Sequence, residues 1–241
     1  DWTKYGDPWS HRRDKLAVKV KFADQTVNCV PYDMPVIGYE TTTVGTLRLW
    51  QCEAEEELDF NAFNDQDYLR ALNQKNKAED ITRVLYPNDS TWEGKRLRIK
   101  QQYVLSSASL QDMLRTYKVA HGNDLSHFAD YYAVQLNDTH PTVAIAELMR
   151  ILMDEEGLEW DEAWEVTTRT CAYTNHTIMS EALEKWPIEL FSRLLPRIYQ
   201  IVEEINRRFL KEVAEKFPYE RDMAYRVAIL KDDQVHMASL A

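Results

Sequence analysis

The sequence predicts an α/β protein with a helix-rich second half, and three observations support this prediction. Residues 16–22 (LAVKVKF) alternate apolar and charged side chains, which is typical of a half-buried strand. After Asp59 the spacing of apolar residues changes from two to three or four, which indicates helices. In the second half, strand-like, loop-like and helix-like segments alternate, as they do when helices cover a parallel sheet.

Short strands are predicted in the first fifty residues. Segments 16–22, 27–30 and 46–50 (LAVKVKF, VNCV and TLRLW) have the composition and alternation of strands. Three residues that interrupt β structure are expected to separate the second segment from the third: Pro31, Pro35 and Gly38.

Helices are predicted to follow. Residues 64–77 have helical periodicity, and residues 80–86 continue it until Pro87 stops the helix. A long helix is predicted over residues 94–118, whose apolar side chains recur on one face.

A buried strand and further helices are predicted for the rest of the chain. The near-continuous apolar run 131–136 (YYAVQL) has the length and composition of a parallel strand. Four helical segments are expected: 142–155, 160–173, 187–217 with a bend at Pro196, and the tail after Pro218. Because ligands of such sheets bind at the carboxyl ends of strands, the turn after residue 136 is the first place to look for chemistry.

The composition excludes several classes of protein. The 241 residues carry a net charge of −11, and an acidic surface repels the phosphate backbone of nucleic acids. The six glycines are too far apart for a G-x-G-x-x-G dinucleotide fingerprint or a glycine-rich phosphate loop. No apolar run approaches the ~18 residues that span a bilayer, and no signal peptide opens the chain. We expect a cytoplasmic protein that binds neither nucleic acid nor membrane.

Two expectations concern the interior of the protein. Cys29, Cys52 and Cys171 are far apart in the sequence and odd in number, which favours reduced, buried thiols over a disulfide framework or a metal site. Trp160 and Trp164 share one face of a predicted helix, so we expect them in the core.

The turn after the predicted parallel strand carries Asp138, Thr139 and His140 (NDTHP, 137–141). Asp138 and His140 offer an acid–base or hydrogen-bonding pair aimed into a crevice. From spacing alone, a local role is favoured, in which Asp138 or Thr139 caps the next helix and His140 packs beside it. No spacing typical of zinc ligands accompanies His140 or His176, so no metal site is predicted.

A second polar turn, residues 173–177 (YTNHT), is predicted between two helices. Asn175 and His176 are suited to hydrogen-bonding sugar hydroxyls. Without further context, the favoured interpretation is a polar turn in which Asn175 caps the next helix. Glu181 and Glu184 stand three apart and would share a helix face. A carboxylate pair is typical of glycosidases, but two acids on a short helix usually lie in water.

A third segment, residues 85–90 (LYPNDS), is expected to be a turn between helices. The functional alternative is that this segment is a mobile gate, which carries Asp89 over a binding site. Arg98, about one helical turn beyond Gly94, would anchor that gate.

Together these segments resemble the α-1,4-glucan phosphorylase family of glycogen, starch and maltodextrin phosphorylases. The matching stretches are 30–50, 83–103, 134–154 and 170–187. NDTHP followed by YTNHT and EALEKWP, in this order and spacing, makes the resemblance specific. It extends over nearly the whole chain from Trp9 onward and favours the functional interpretation of all three segments.

The resemblance implies a fold and a reaction. The family's fold is similar to two Rossmann-like lobes of the glycosyltransferase type-B fold, with the active site in the cleft between them. Its members transfer the non-reducing-end glucosyl unit of an α-1,4-glucan to inorganic phosphate, giving α-glucose 1-phosphate with retention. Residues 1–241 would then be a single partial domain from the amino-terminal lobe, and the intact enzyme a homodimer.

The resemblance also implies a cofactor, pyridoxal phosphate, bound to a lysine of the carboxyl-terminal lobe. That lysine would lie outside this chain, which begins at Asp1 without methionine and ends at HMASLA. We therefore expect an internal piece of the enzyme that is inactive alone, because the proton relay depends on the cofactor's phosphate.

The same resemblance assigns roles to individual residues. His176 would contact the glucosyl 6-hydroxyl and direct its main-chain carbonyl at an oxocarbenium-like transition state, where a fixed dipole stabilises developing positive charge. The other expected substrate-binding residues are Asn88, Asp89 and Ser90 in the gate, Asp138 and His140 in the glucan cleft, Asn175 beside His176, and Glu184 in the polar pocket near the glucose.

Two features depart from the family pattern. Ser90 stands where animal members have asparagine, which changes the sugar contacts available to the gate. The stretch from Phe22 to Val27 is shorter than expected, so either a hairpin is missing or residues are absent from the sequence.

Two other functions stay open at this point. A glycoside hydrolase using Asp89, Asp138 or Glu184 would release reducing sugar without phosphate, and it requires two carboxyl groups ~5–10 Å apart. A non-catalytic glucan-binding module would present aromatic side chains along an exposed groove.

Overall fold

The computed structural model describes residues 8–56, 58–177, 179–220 and 222–241, so the opening DWTKYGD lies outside the described residues. The chain divides into two compact units, Asp1–Ala108 and Ser109–Ala241. Helices and strands occur in both units, which confirms the α/β class.

The sheet of the first unit has four antiparallel strands. They are β1 (His11–Arg12), β2 (Val18–Lys21), β3 (Thr26–Ile37) and β4 (Val44–Ala54). β3 lies in the middle, with β4 along one edge and both β1 and β2 along the other. The three predicted strands are confirmed, and β3 and β4 are longer than predicted.

Pro31 and Pro35 lie inside β3, opposite Trp50 and Thr46 of β4, so the prediction that they end the strand is wrong. The carbonyl of Pro31 accepts a hydrogen bond from the Arg13 amide at 2.9 Å, on the edge away from β4. Because alternate residues of a strand face the same edge, Pro35 also turns its nitrogen away from β4. Neither proline therefore removes a donor from the β3–β4 ladder.

The short connection between Phe22 and Val27 closes as a hairpin. Lys21 of β2 pairs with Thr26 of β3, and the Phe22 amide donates to the Gln25 carbonyl at 2.8 Å. The short connection is therefore compatible with a closed, hydrogen-bonded sheet.

Two of the cysteines face each other across this sheet. Cys29 and Cys52 are opposed residues of β3 and β4, fully buried, with their Sγ atoms 3.9 Å apart. The Cys52 amide donates to the Thr82 hydroxyl at 3.0 Å, which ties the sheet to a helix. The contact with Cys52 and burial raise the pKa of Cys29 well above its usual value, while burial raises the pKa of half-buried Cys171 to about 11.

Four helices follow the sheet: α1 (Phe60–Asn64), α2 (Tyr68–Ala71), α3 (Asn73–Arg83) and α4 (Trp92–His121). The single predicted helix over 64–77 is wrong, because Gln66 has a left-handed backbone (φ +63°) that interrupts it. The carboxylates of Asp59 and Asp67 accept amide hydrogen bonds at the starts of α1 and α2, so each turn has its own cap. The long helix is confirmed, and the unit boundary falls within it.

The second unit is built around a pair of parallel strands. β5 (Val134–Asn137) follows the short helix α5 (Phe128–Tyr131) and pairs with β6 (Cys171–Thr174). Between them lie α6 (Val143–Arg150), whose residues 143–149 are all buried, a π-helical turn (Ile151–Glu155) and α7 (Trp160–Thr170). The parallel strand is confirmed. Residue 131 was predicted as strand and lies in α5, whereas residues 171–173 were predicted as helix and lie in β6.

The rest of the second unit combines helices with a small antiparallel sheet. α8 (Ile188–Leu194) and α9 (Pro196–Lys216) replace the predicted helix 187–217, and the expected bend at Pro196 is a break between them. The tail is only partly helical: α10 (Met223–Val227) and α11 (Met237–Leu240) flank β8 (Leu230–Lys231) and β9 (Gln234–His236), and β9 also pairs with β7 (Lys185–Pro187). Over the described ranges, no helix is both long and apolar enough to cross a membrane.

Candidate functional site

The carboxyl ends of β5 and β6 meet in the second unit. Asn137 pairs with Thr174 in parallel register, and the Asp138 amide donates to the Thr174 carbonyl at 2.7 Å. The two turns that the sequence singled out, NDTHP and YTNHT, therefore leave the sheet side by side. This is the edge at which open α/β sheets bind ligands.

Asp138 occupies a constrained turn. Its backbone is left-handed (φ +71°), and its Oδ1 accepts a hydrogen bond from the Thr139 amide at 2.6 Å. The favoured local interpretation is wrong, because α6 begins at Val143 after Thr142 and has no side-chain cap. The carboxylate instead holds its own turn, and a left-handed aspartate is a form of backbone strain often found at functional sites.

Glu184 reaches the same turn from a distant part of the chain. Its Oε2 lies 3.3 Å from the Thr139 hydroxyl, which donates to it, and its Oε1 is 3.9 Å from Nε2 of His140. Thr139 is fully buried, whereas His140 keeps 39% of its side chain exposed and Glu184 keeps 17%. Thr139 is therefore the buried member of this cluster, and the side chains of His140 and Glu184 are partly exposed to solvent.

The expectation that Glu181 and Glu184 share a helix face is wrong. Glu181 lies in a 3₁₀ turn, Ser180–Ala182, and Glu184 lies beyond it, just before β7. The main-chain carbonyl of Glu184 accepts the Met237 amide at 3.1 Å, so the small antiparallel sheet fixes its position.

His176 and Asn175 follow β6 and are exposed. Nε2 of His176 is hydrogen-bonded to the side-chain oxygen of Asn137, at the end of the neighbouring strand. Asn175 bonds both main-chain groups of Thr177, which is the local turn that the sequence favoured. The helix that Asn175 was expected to cap is absent from the described residues here, since β6 runs to Thr174 and a 3₁₀ turn follows.

Tyr173 is a residue of this site that the sequence reasoning missed. Its hydroxyl is buried and has no hydrogen-bond partner among the described residues. Burial and the nearby Asp138 carboxylate raise its pKa, so it is a neutral donor. Its place in YTNHT, the polar turn that the sequence singled out, was the available signal.

The remaining three predicted residues belong to the first unit. Asn88, Asp89 and Ser90 lie in the 85–90 loop between α3 and α4. The Asn88 side chain accepts the Ser90 amide at 2.9 Å, and the Asp89 carbonyl accepts Nζ of Lys95 at 2.6 Å. Asp138, His140, Asn175, His176 and Glu184 all belong to the second unit.

Trp160 and Trp164 are half-buried, so the prediction that they lie in the core is wrong. The indoles are nearly parallel, with centroids 6.5 Å apart, and line a cleft of about 400 Å³ against α9. The Arg208 guanidinium lies 4.7 Å from the Trp160 ring. In the part of the chain that the structure describes, no three His, Cys, Asp or Glu residues are grouped so as to hold a metal ion.

The Asp138 turn gives a prediction about stability. Asp138→Ala is expected to lower the free energy of unfolding by about 1–2 kcal/mol, because alanine tolerates a left-handed backbone poorly. Asp138→Asn is the matched control, since asparagine tolerates this region; its loss should stay near 0.5 kcal/mol. Urea titrations followed by circular dichroism measure both. Equal losses in the two variants would mean that the negative charge, not the backbone, holds the turn.

Comparison with known proteins relates this arrangement to one family. The family model for carbohydrate phosphorylase matches residues 1–241. The chain is 44% identical, over 262 aligned residues, to the muscle form of glycogen phosphorylase from Ovis aries and equally to that from Homo sapiens, covering 100% of this chain and 31% of those proteins. It is 45% identical over 264 residues to glycogen phosphorylase from Saccharomyces cerevisiae, covering 29% of that protein. The chain therefore spans about a third of the length of the curated relatives it matches.

Proposed function

The chain belongs to the carbohydrate phosphorylase family, and from this we propose that it is part of an α-1,4-glucan phosphorylase. The intact enzyme transfers the non-reducing-end glucosyl unit of the glucan to inorganic phosphate and releases α-glucose 1-phosphate with retention. The observation that carries the proposal is the convergence of Asp138, His140, His176 and Glu184 around the carboxyl ends of β5 and β6.

His176 has the main role in this chain. Its ring is held by Asn137, which orients the residue at the end of the sheet. The ring contacts the 6-hydroxyl of the glucosyl unit, and the main-chain carbonyl stabilises the positive charge that develops in the transition state. A preoriented dipole of this kind contributes mainly when charge develops, which is what acceleration requires.

The other residues bind the glucan. Asp138, His140, Asn175 and Glu184 present carboxylate, imidazole and amide groups, which suit a ligand covered with hydroxyls. Glu184 and His140 are coupled through the Thr139 turn, so the polar groups are held in fixed relation before substrate arrives. Asn88, Asp89 and Ser90 form the gate loop in this proposal.

The organisation of the intact protein is part of the same proposal. We take residues 1–241 as a single partial domain, from the amino-terminal lobe of a glycosyltransferase type-B fold. The intact enzyme is a cytoplasmic homodimer that binds neither nucleic acid nor membrane.

Pyridoxal phosphate supplies the phosphate of the proton relay in the intact enzyme. The residues of this chain do not fit its attachment: among the described residues the one buried lysine, Lys100, forms an ion pair with Asp24 at 2.8 Å. We therefore assign the cofactor lysine to a part of the enzyme outside this chain and derive no step through the cofactor here.

Phosphate dependence tests the proposed function. The longer protein, encoded by extending the coding sequence downstream, is incubated with maltoheptaose and pyridoxal phosphate, with and without inorganic phosphate. We expect glucose 1-phosphate only with phosphate, and no product from residues 1–241 alone. We also expect a fall in kcat of about 100-fold in His176→Ala, because loss of the ring removes its 6-hydroxyl contact and the bond to Asn137 that orients the carbonyl. His127→Ala, at an exposed histidine paired with Asp130, is the control.

Three outcomes would contradict this. Reducing sugar released without phosphate would indicate a hydrolase. Maltoheptaose binding without turnover in the longer protein would indicate a binding module. Glucose 1-phosphate formed by residues 1–241 alone would overturn the assignment of the relay to another lobe.

A further inference from the structure

The 85–90 loop rests directly on the first turn of α4. A Cβ atom at Gly94 would overlap the carbonyl oxygen of Asn88 and would lie 3.0 Å from Cα of Asp89. Both are main-chain atoms, so no side-chain rotation relieves the overlap. Only glycine allows the loop to approach the helix this closely.

Further residues of α4 bind the same loop. The Lys95 ammonium donates to the Asp89 carbonyl at 2.6 Å, and the Arg98 guanidinium lies 4.5 Å from the Tyr86 ring centroid. The Gln101 amide donates to the Val84 carbonyl at 2.7 Å. The helix therefore contacts the loop at Tyr86, Asn88 and Asp89, and it also contacts Val84, the residue just before the loop.

Three of these helical residues form one stripe. Gly94, Arg98 and Gln101 are spaced by four and three positions, so they lie on one face of α4. Arg98 is 7% exposed and Gln101 is 1% exposed, so the stripe is covered. A buried amide and guanidinium are costly unless they are paired. The Gln101 amide is paired with the Val84 carbonyl, and the Arg98 guanidinium with the Gln101 side-chain oxygen at 3.4 Å and with the Tyr86 ring.

The loop is internally constrained as well. Tyr86 has a left-handed backbone (φ +57°), and the Asn88 side chain accepts the Ser90 amide. The Thr91 hydroxyl accepts the Gly94 amide at 3.1 Å, which fixes the start of the helix against the end of the loop. One loop conformation therefore satisfies all of these contacts together.

We propose that the Gly94–Arg98–Gln101 stripe is a positioning device that fixes the 85–90 loop, with Gly94 as its main positioning residue. Resting on the proposed function, this means that Asn88 and Asp89 are held ready for the glucan by the helix behind them. The helix residues act through the loop and do not touch the sugar. Glucan affinity then depends on a contact that is hidden beneath the loop.

Gly94→Ala tests this positioning role, because the direction of its effect on stability distinguishes the overlap with the loop from an ordinary glycine-to-alanine change in a helix. Alanine in place of a helical glycine ordinarily stabilises a protein, whereas the overlap with Asn88 predicts destabilisation and a freed loop. We expect hydrogen exchange of the 85–90 amides to rise about tenfold, while amides 102–121 of α4 stay unchanged. Gly45→Ala is the matched control, because its Cβ would meet Val36 at an ordinary 3.7 Å.

Milder variants guard against a general loss of folding. Lys95→Met removes only the bond to Asp89, with Lys118→Met on the same helix as its control, and should raise loop exchange about threefold. Arg98→Ala should do the same, and Arg98→Lys should restore part of the protection, because a cation remains near the Tyr86 ring. Unchanged loop exchange in Gly94→Ala and Lys95→Met would overturn the positioning device.

A glucan titration separates this inference from the proposed function. Maltoheptaose binding, read by tryptophan fluorescence, should weaken about tenfold in Gly94→Ala and stay unchanged in Gly45→Ala. Equal affinity in both variants would overturn the link to substrate. Absence of binding in the unmodified chain would count against the glucan site in this chain, whereas the exchange experiment would still decide whether the stripe fixes the loop.

Discussion

Replacing Glu147 with alanine is expected to lower the free energy of unfolding by about 3–5 kcal/mol, the range found when one partner of a buried ion pair is removed. Glu147 lies in the middle of α6 with a fully buried side chain. It accepts two hydrogen bonds from Arg150, from Nε at 2.7 Å and from Nη2 at 2.8 Å. Without the carboxylate, a mostly buried guanidinium loses both bonds, and α6 supports the turn that carries Asp138.

Two control variants test whether the loss of stability comes from burial of the ion pair or from its charge alone. Glu155 also accepts a bond from Arg150, at 2.8 Å, but 48% of its side chain is exposed, so Glu155→Ala should cost no more than about 1 kcal/mol. Replacing Glu147 and Arg150 together by leucine and methionine should recover much of the loss, since apolar pairs often replace buried ion pairs without penalty. Urea unfolding measures all three. A loss below about 1 kcal/mol in Glu147→Ala would show that the pair behaves as an exposed one.

Much of the fold followed from periodicity, and the errors have physical reasons. The alternation at 16–22 and the apolar run ending at Leu136 were sufficient to predict β2 and β5. Pro31 and Pro35 were wrongly predicted to end the strand, because a sequence does not say towards which edge of the strand their nitrogens point. Residues 171–173 continued a helical pattern and became β6 only through pairing with β5, a contact between distant segments.

The grouping of candidate site residues could be predicted where those residues stand next to a strand end. Asp138 and His140 followed from the turn after β5, and His176 from the polar turn and the family resemblance. The proximity of Glu184 to Thr139 could not be predicted from the sequence, because forty-five positions separate them and the helix expected around Glu184 does not form. The stripe beneath the 85–90 loop was anticipated at Arg98 alone, since the close approach at Gly94 depends on the path of the loop.

Stability of the second unit and geometry of its site are linked through the aromatic cluster that precedes β5. Phe128 is fully buried, stacked on Tyr132 with centroids 4.8 Å apart, and edge-on to Tyr117 at 5.4 Å. Tyr132 stands two residues before β5, so the cluster holds the start of the strand whose other end carries Asp138. Loss of Phe128 is therefore expected to loosen the strand as well as the core.

Phe128→Ala is expected to lower the free energy of unfolding by about 3–5 kcal/mol, because it leaves a cavity that the neighbouring rings of Tyr117 and Tyr132 cannot refill. Phe128→Leu keeps most of the volume and should cost no more than about 1.5 kcal/mol. Tyr131→Ala, on the same short helix but 59% exposed, is the matched control at about 1 kcal/mol or less. Urea unfolding gives the energies, and hydrogen exchange of the amides of β5 shows whether the strand loosens with the core. Protected β5 amides in a destabilised Phe128→Ala protein would mean that the strand is held by β6 and α6 without help from the cluster.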